Sequence, residues 1–297
     1  MRIARSPEEL APARRAVAVG TFDGVHVGHR RVLDGVVAAG LTSTAVTFDP
    51  HPRTALGNRV ELLTTLERRL ELLADAGLDE TLVVEFDLEL ARLTPEEFAE
   101  RYLRAVGAEV VVEGVDFRFG QRRSGDLDLL ARLGYDVRPV ELIDGVSSSA
   151  VRGMLQAAEL EEAARALGRP AEVEGTVVSG DARGGTLGFP TANLRVDPDL
   201  LVPAYGIYAG LALGHRAAIS IGVNPHYGGD ERRVEAFLLD FEGDLYGRRL
   251  IVELWERLRD ERSFGSEEEL VEQIARDVES ARTARRPGES GAKAARI

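Results

Sequence analysis

Residues 15–29 read RAVAVGTFDGVHVGH, and this stretch decides the fold of the amino-terminal half. The apolar run Ala16–Gly20 is too short for a helix and reads as a buried strand. It leads through Thr21-Phe22-Asp23-Gly24 into a helix expected over Gly28–Ala39. A doubly buried strand that feeds straight into a helix is the unit of a parallel α/β sheet. In such sheets ligands bind beyond the carboxyl ends of the strands and against helix N-termini.

Working outward, the same alternation continues. Strands are expected over Ser43–Phe48, Thr81–Phe86, Glu109–Glu113 and Asp136–Val140. Helices are expected over Arg59–Ala76, with leucines at 62, 63, 66, 70 and 73, over Pro95–Val106 behind a Thr94-Pro95-Glu96-Glu97 start signal, and over Leu127–Leu133. Two short helices, Ala150–Gln156 and Leu160–Leu167, end at Gly168-Arg169-Pro170. From Ala171 to about Trp255 the chain changes to short strands separated by glycine turns, the pattern of a small antiparallel barrel or sandwich. A last amphipathic helix is expected over Ser266–Arg282, opened by a capping-box pattern and buried along Leu270, Ile274 and Val278. The domains are therefore expected at 1–168 and 169–285, with a disordered tail at 286–297.

Composition bounds the function. The 297 residues carry 37 Lys plus Arg against 50 Asp plus Glu, a formal charge of -13. That surplus argues against a nucleic-acid coat, because phosphate binding needs net positive charge. With no cysteine, disulfides, thiolate metal sites and cysteine nucleophiles are excluded. No leader pattern opens the chain and no stretch approaches the about 20 apolar residues of a membrane span, so a cytoplasmic protein without a membrane partner is expected. The sequence carries no signal for an oligomeric state.

His26 and His29 stand at the mouth of the first helix, between glycines, and are two of only five histidines. Imidazoles placed there can donate to phosphate oxygens, as a charge-spreading phosphoryl transition state requires. The loop is neither a Walker A nor a G-x-G-x-x-G sequence, and no third ligand accompanies the two histidines for a metal. Ser147, Ser148 and Ser149 precede a helix whose first turn holds Arg152, a natural fork for polyphosphate; a salt bridge would explain that arginine equally well. Asp116 fits either a ribose contact or a turn cap. Phe48 and Phe117 fit either neighbours of a bound ring system or plain packing, and His51, between two prolines, fits a placed donor or a loop filler. In the second half, Thr191 and Asn193 face the same way on an extended backbone beside a glycine-dense loop. Their two neutral oxygens with the phosphates of ATP make a magnesium site, or else they cap a turn.

Together these segments resemble the bacterial bifunctional riboflavin kinase/FAD synthetase family. GTFDGVHVGH (20–29) is similar to the HxGH signature of nucleotidyltransferases. FDPHP (48–52), GVDFRFGQRRSG (114–125) and SSSAVR (147–152) resemble the family's F-x-P-H-P, G-x-D/N-F-x-F-G and S-S-T-x-I-R elements. LGFPTAN (187–193), PAYGIYA (203–209), SIGVNPHY (220–227), Val234-Glu235 and GDLYG (243–247) resemble its kinase signatures. The resemblance spans about residues 13–282 and implies a Rossmann-like α/β nucleotidyltransferase domain followed by a small antiparallel β-barrel of riboflavin kinase type with a C-terminal helix. It implies ATP, riboflavin, FMN and FAD as substrates and products, with Mg²⁺ at Thr191 and Asn193. It implies His26, His29 and Arg152 as the adenylyl-transfer residues, and a flavin and ATP lining from Gly20, Phe22, Asp23, Gly24, Phe48, His51, Asp116, Phe117 and the three serines. For the kinase it implies Glu235 as base, with Arg183, Gly188, Pro190 and Tyr208 beside Thr191 and Asn193. Two positions depart from the pattern: Gly185 stands where the family carries arginine, and Phe237 where it carries histidine.

Overall fold

A computed structural model describes residues 1–180, 189–223 and 232–288. By compactness the chain divides into Met1–Ser148 and Ser149–Ile297. The first unit is built on a six-stranded parallel sheet: β1 (Arg2–Ala4), β2 (Arg15–Val19), β3 (Thr42–Asp49), β4 (Glu80–Glu85), β5 (Ala108–Gly114) and β6 (Asp136–Val140). Its order is β1-β4-β3-β2-β5-β6. The first strand was not expected from the sequence; three residues carry too little pattern, and pairing with β4 defines it.

Strand β2 shows why both faces are covered. Val17 and Val19 point into one core with Phe98, Tyr102, Leu103 and Leu130. Ala16 and Ala18 point into the other with Leu33, Val36, Leu72 and Leu73. Helices α1 (Val27–Val37) and α3 (Leu66–Asp75) cover the alanine face; α4 (Pro95–Phe98), continued as a π-helix over Ala99–Arg104, and α5 (Leu127–Arg132) cover the valine face. The short α2 (Pro52–Ala55) follows β3 in the chain. Each buried Val or Leu contributes about 1.5–3 kcal/mol, so these two cores hold the sheet together.

The helix expected over Arg59–Ala76 starts only at Leu66. Thr65 caps it, accepting from the Arg68 N–H. The amides of Leu63 and Thr64 are instead gripped by the Asp23 carboxylate at 2.9 and 3.2 Å, which holds that segment out of the helix.

Buried ionisable side chains mark both ends of the sheet. At the amino ends Arg15 bonds Glu80 at 2.7 Å and also donates to the carbonyls of Ala11, Ala13 and Val106. At the carboxyl ends Glu113, the penultimate residue of β5, accepts from the Val19 amide of β2. Burial pushes the Glu113 carboxyl well above its usual range, and Asp116 adds to the rise.

In the second unit α6 (Ser148–Gln156) leads into α7 (Leu160–Leu167), which stops at Gly168 with φ 72. Leu155 accepts from the Ala204 amide and α7 packs on the barrel strands, so the segment between the sheet and residue 168 goes with the barrel side. Six strands, β7 (Ala171–Val178), β8 (Ala192–Arg195), β9 (Gly206–Ala212), β10 (His215–Val223), β11 (Arg232–Leu238) and β12 (Arg249–Arg259), close an antiparallel barrel in the order β10-β11-β8-β7-β12-β9. The last strand runs four residues past Trp255 and bulges twice against β9, a bend that helps the sheet close. At Gly210 a side chain would lie 1.8 Å from the Glu253 carbonyl, so only glycine fits that crossing.

Helix α8 (Glu267–Thr283) packs outside the barrel. Leu270, Ile274 and Val278 are only half-buried; the buried positions are Asp277 and Ala281. The reason is polar anchoring: Asp277 receives Arg259 through two nitrogens, at 3.0 and 2.7 Å. Arg216 lies over the Trp255 ring and donates to the carbonyls of Ala281 and Ala284, satisfying the helix end. The Ser266 opening has one half of a capping box, Ser266 accepting from the Glu269 amide; the Glu269 carboxylate turns to Gly265.

Two outcomes follow from these buried groups. Glu80→Ala strands the Arg15 guanidinium and should destabilise the sheet unit by about 3–5 kcal/mol in urea unfolding; a loss below about 1 kcal/mol would contradict this. The native Glu113 holds its proton after the unfolded chain has released it, near the ordinary glutamate value of 4.5. Stability therefore falls as pH rises from that value toward the raised native one. Glu113→Gln removes this loss: relative to wild type its urea midpoint should improve as pH rises above about 4.5, whereas a pH-independent difference would contradict the burial argument.

Candidate functional site

The strand order reverses between β2 and β5, since β3 and β4 follow on one side of β2 and β6 on the other side of β5. That crevice is where open α/β sheets bind ligands, and the 20–29 loop rises from it. His26 is the N-cap of α1; its Nδ1 accepts from the His29 amide at 3.2 Å. An accepting Nδ1 fixes the neutral ring with its proton on Nε2. The rings of His26 and His29 stack, 3.6 Å between centroids and 13° apart, and Phe22 meets His29 edge-on. Gly28 makes the stack possible, because a Cβ there would press on the His26 ring at 3.1 Å. Burial and the neighbouring His26 push the His29 pKa well below 6.5, so His29 is neutral at pH 7. Its Nδ1 is buried with no hydrogen-bond partner among the described residues. A buried unpartnered nitrogen at a helix N-terminus fits an incoming phosphate oxygen, with His29 as donor in the matching tautomer.

The rest of the loop is tied down from beneath. Asp23 is buried and its Oδ1 is engaged by the 63–64 amides, so it acts here as a brace of the loop. Its carbonyl accepts from the Ser148 hydroxyl at 2.9 Å. Gly24 has φ +81, and a side chain there would meet Leu63 at 2.7 Å. Gly20 and Phe22 lie at the loop base, Phe22 buried. Phe48 is a core residue, edge-on to Phe86 and tilted on Phe98. His51 caps α2 and accepts from the Arg53 amide. Asp116 is exposed, and Phe117 is half-buried and stacks on Phe119. Ser147 and Ser149 are exposed, and Arg152 is half-buried, one turn on from Ser148 along α6. Pattern reading missed Arg69 and Glu113: a lone arginine on a helix and a lone glutamate in a strand look like solvent-facing charges, and no local signal marks them as buried.

In the barrel, antiparallel pairing sets Asn193 of β8 directly opposite Glu235 of β11. The Thr191 hydroxyl donates to Glu235 Oε2 at 3.2 Å, and Arg233 lies 3.8 Å from Oε1. Thr191, Asn193 and Arg233 thus meet around Glu235, about one-third of whose side chain remains open to solvent. Gly180 packs against the Asn193 amide, where a Cβ would lie 2.4 Å away. Phe237 meets Phe189 edge-on at 5.4 Å, which gives the aromatic at 237 a packing role beside the LGFPTAN segment. Tyr208 is wholly buried with its hydroxyl on the Ala204 carbonyl, and Pro190 is exposed. Arg183, Gly185, Gly188 and the 224–227 segment lie outside the described residues. Among the described residues no group of three acidic, histidine or cysteine side chains could hold a metal, and no helix is long and apolar enough to cross a membrane.

Comparison with known proteins divides the chain in the same two parts. Residues 8–150 match the FAD synthetase family model and residues 167–285 the riboflavin kinase family model. A bifunctional riboflavin kinase/FMN adenylyltransferase of Listeria monocytogenes is 35% identical over 294 residues, covering 93% of this chain and 94% of that protein. One from Escherichia coli is 36% identical over 305 residues, covering 95% and 97%. A solved Streptococcus pneumoniae chain described as a macrolide-efflux protein superposes with a TM-score of 0.86 at 30% identity, covering 95% of this chain and 98% of that one. Two family models in tandem and relatives of this identity along nearly the whole length leave one conclusion: the chain belongs to the family of bifunctional riboflavin kinase/FMN adenylyltransferases.

Proposed function

We propose that the chain phosphorylates riboflavin to FMN in its carboxyl-terminal half and adenylylates FMN to FAD in its amino-terminal half, using ATP in both steps. One observation carries the reading: each half holds its own polar cluster, His26 stacked on His29 and Thr191 and Asn193 beside Glu235, within the stretch that matches the corresponding family model. Functionally the adenylyl-transfer part is taken as 1–168 and the kinase as 169–285, with 286–297 as a tail outside both.

In adenylyl transfer an FMN phosphate oxygen attacks the α-phosphorus of ATP, and pyrophosphate leaves. His26 and His29 donate to the α-phosphate oxygens as charge spreads over them. The stacked neutral rings and the unpartnered His29 Nδ1 support that role. Arg152, Ser147 and Ser149 are assigned to the triphosphate, with Ser148 tying that helix start to the Asp23 carbonyl. Gly20, Phe22, Asp23 and Gly24 shape the ATP loop; Phe48, His51, Asp116 and Phe117 are assigned to the flavin side.

In the kinase Glu235 takes the proton of the ribityl 5′-hydroxyl, whose oxygen attacks the γ-phosphorus while ADP leaves. The Thr191 bond that orients Glu235 supports this assignment. Thr191 and Asn193 are the residues that would hold Mg²⁺, and two neutral oxygens fit an ion carried in by ATP. Bound there, magnesium neutralises phosphate charge. Pro190, Tyr208, Arg183 and Gly188 are assigned to the nucleotide and flavin lining. The partners are small molecules and the setting cytoplasmic; the charge of -13 speaks against nucleic acid.

Chromatography of products from riboflavin or FMN with ATP and Mg²⁺ tests both halves. His29→Ala should lower FAD formation by about 10²–10³-fold while FMN formation from riboflavin persists. Glu235→Gln should lower FMN formation by about 10²–10⁴-fold while supplied FMN is still converted to FAD. Loss of both activities in either variant would contradict the division of labour.

A further inference from the structure

We propose that Arg69 is a positioning residue for adenylyl transfer, its guanidinium locking the loop that carries His26 and His29 to the loop that carries His51. The inference rests on the assignment of adenylyl transfer to the amino-terminal half. Arg69 lies on α3, on the alanine face of the sheet, and is 3% exposed. Its Nη1 donates to the Thr21 carbonyl at 2.7 Å and to the Phe48 carbonyl at 3.1 Å, with the Thr47 hydroxyl at 3.4 Å. Thr21 follows β2 at the base of the histidine loop. Phe48 is next to last in β3, and the chain goes on through Asp49-Pro50 to His51. One nitrogen therefore bridges the carboxyl ends of two neighbouring strands at the place where their loops diverge.

The bridge is completed from the same segment. Asp23, two residues beyond Thr21, accepts from the amides of Leu63 and Thr64, just before α3. The histidine loop is thus held at two points by donors from residues 63–69, at the Thr21 carbonyl and at the Asp23 carboxylate. The charges of Asp23, in the histidine loop, and Asp49, the last residue of β3, oppose the effect of burial on the guanidinium.

The guanidinium is badly used as a stabiliser. Its Nε is buried without a partner among the described residues. A methionine of similar reach would fill the space without desolvating a charge. What methionine cannot do is bridge two carbonyls. Displacing a catalytic group by about 1 Å lowers a rate by about 10²-fold, so the bridge acts on the reaction through the placement of His26 and His29. Arg69 itself touches no substrate.

The full chain carries its own control, because the kinase reaction does not use this segment. In Arg69→Met, kcat for FAD formation should fall at least about tenfold, with KM for ATP changed much less and FMN formation from riboflavin within about twofold of wild type. Arg69→Ala should lose FAD formation likewise and regain part of it on addition of millimolar guanidinium chloride but not methylammonium chloride. Amide hydrogen exchange over residues 20–29 should quicken in both variants and slow again with guanidinium. A kcat for Arg69→Met within about twofold of wild type would overturn the proposal. So would a loss in Arg69→Ala that guanidinium leaves unchanged. If the wild-type chain makes FMN but no FAD, the assignment of the amino-terminal half fails, and the role of Arg69 with it.

Discussion

The parallel pairing of β2 with β3 on one side and β5 on the other sends the connecting helices to opposite faces of the sheet. The loops that follow β2 and β5 must therefore part, and the space between them is the crevice into which the histidine loop rises. This geometry places the N-terminus of α1, with its unsatisfied amides and positive dipole end, beside the crevice. The small side chains of Ala16 and Ala18 let α1 and α3 lie close to the sheet on that face. The loop's chemistry depends on this packing, because His26 and His29 stack only where Gly28 leaves room.

The barrel solves a related problem by register. Antiparallel neighbours on β8 and β11 put Asn193 opposite Glu235, and the period-2 alternation brings Thr191 to the same face. A shift of one residue in that pairing would turn Glu235 inward and Ala236, now buried, outward to solvent. The carboxylate is held in place by the strand ladder more than by any single bond. Outside the barrel, Arg259 and Arg216 fasten α8 by charge and by its terminal carbonyls, so that helix needs only a narrow apolar stripe.

The alternation of strand and helix, the change of character near residue 170 and the histidine loop were all legible in the sequence, because each is a local or periodic pattern. The motif residues of both halves were legible as a set. What escaped were features decided by partners far along the chain. The leucines from 62 to 73 have helical spacing, yet Asp23, some forty residues earlier, claims the 63–64 amides and delays the helix to Leu66. Arg69 and Glu113 look like surface charges until the sheet closes around them. Asp277 replaces an expected apolar contact because Arg259 waits on the barrel. Side-chain to backbone bonds of long sequence separation leave no periodic trace.

The indole of Trp255 is the only one in the chain and sits between the barrel and α8, under the Arg216 guanidinium. The sheet unit holds tyrosines at 102 and 135 but no tryptophan. Intrinsic tryptophan emission is therefore a private signal of the barrel and its docked helix. Fluorescence excited at the indole band follows the unfolding of that unit alone, while circular dichroism follows both. The two transitions can be separated in the intact chain without cutting it or adding a label.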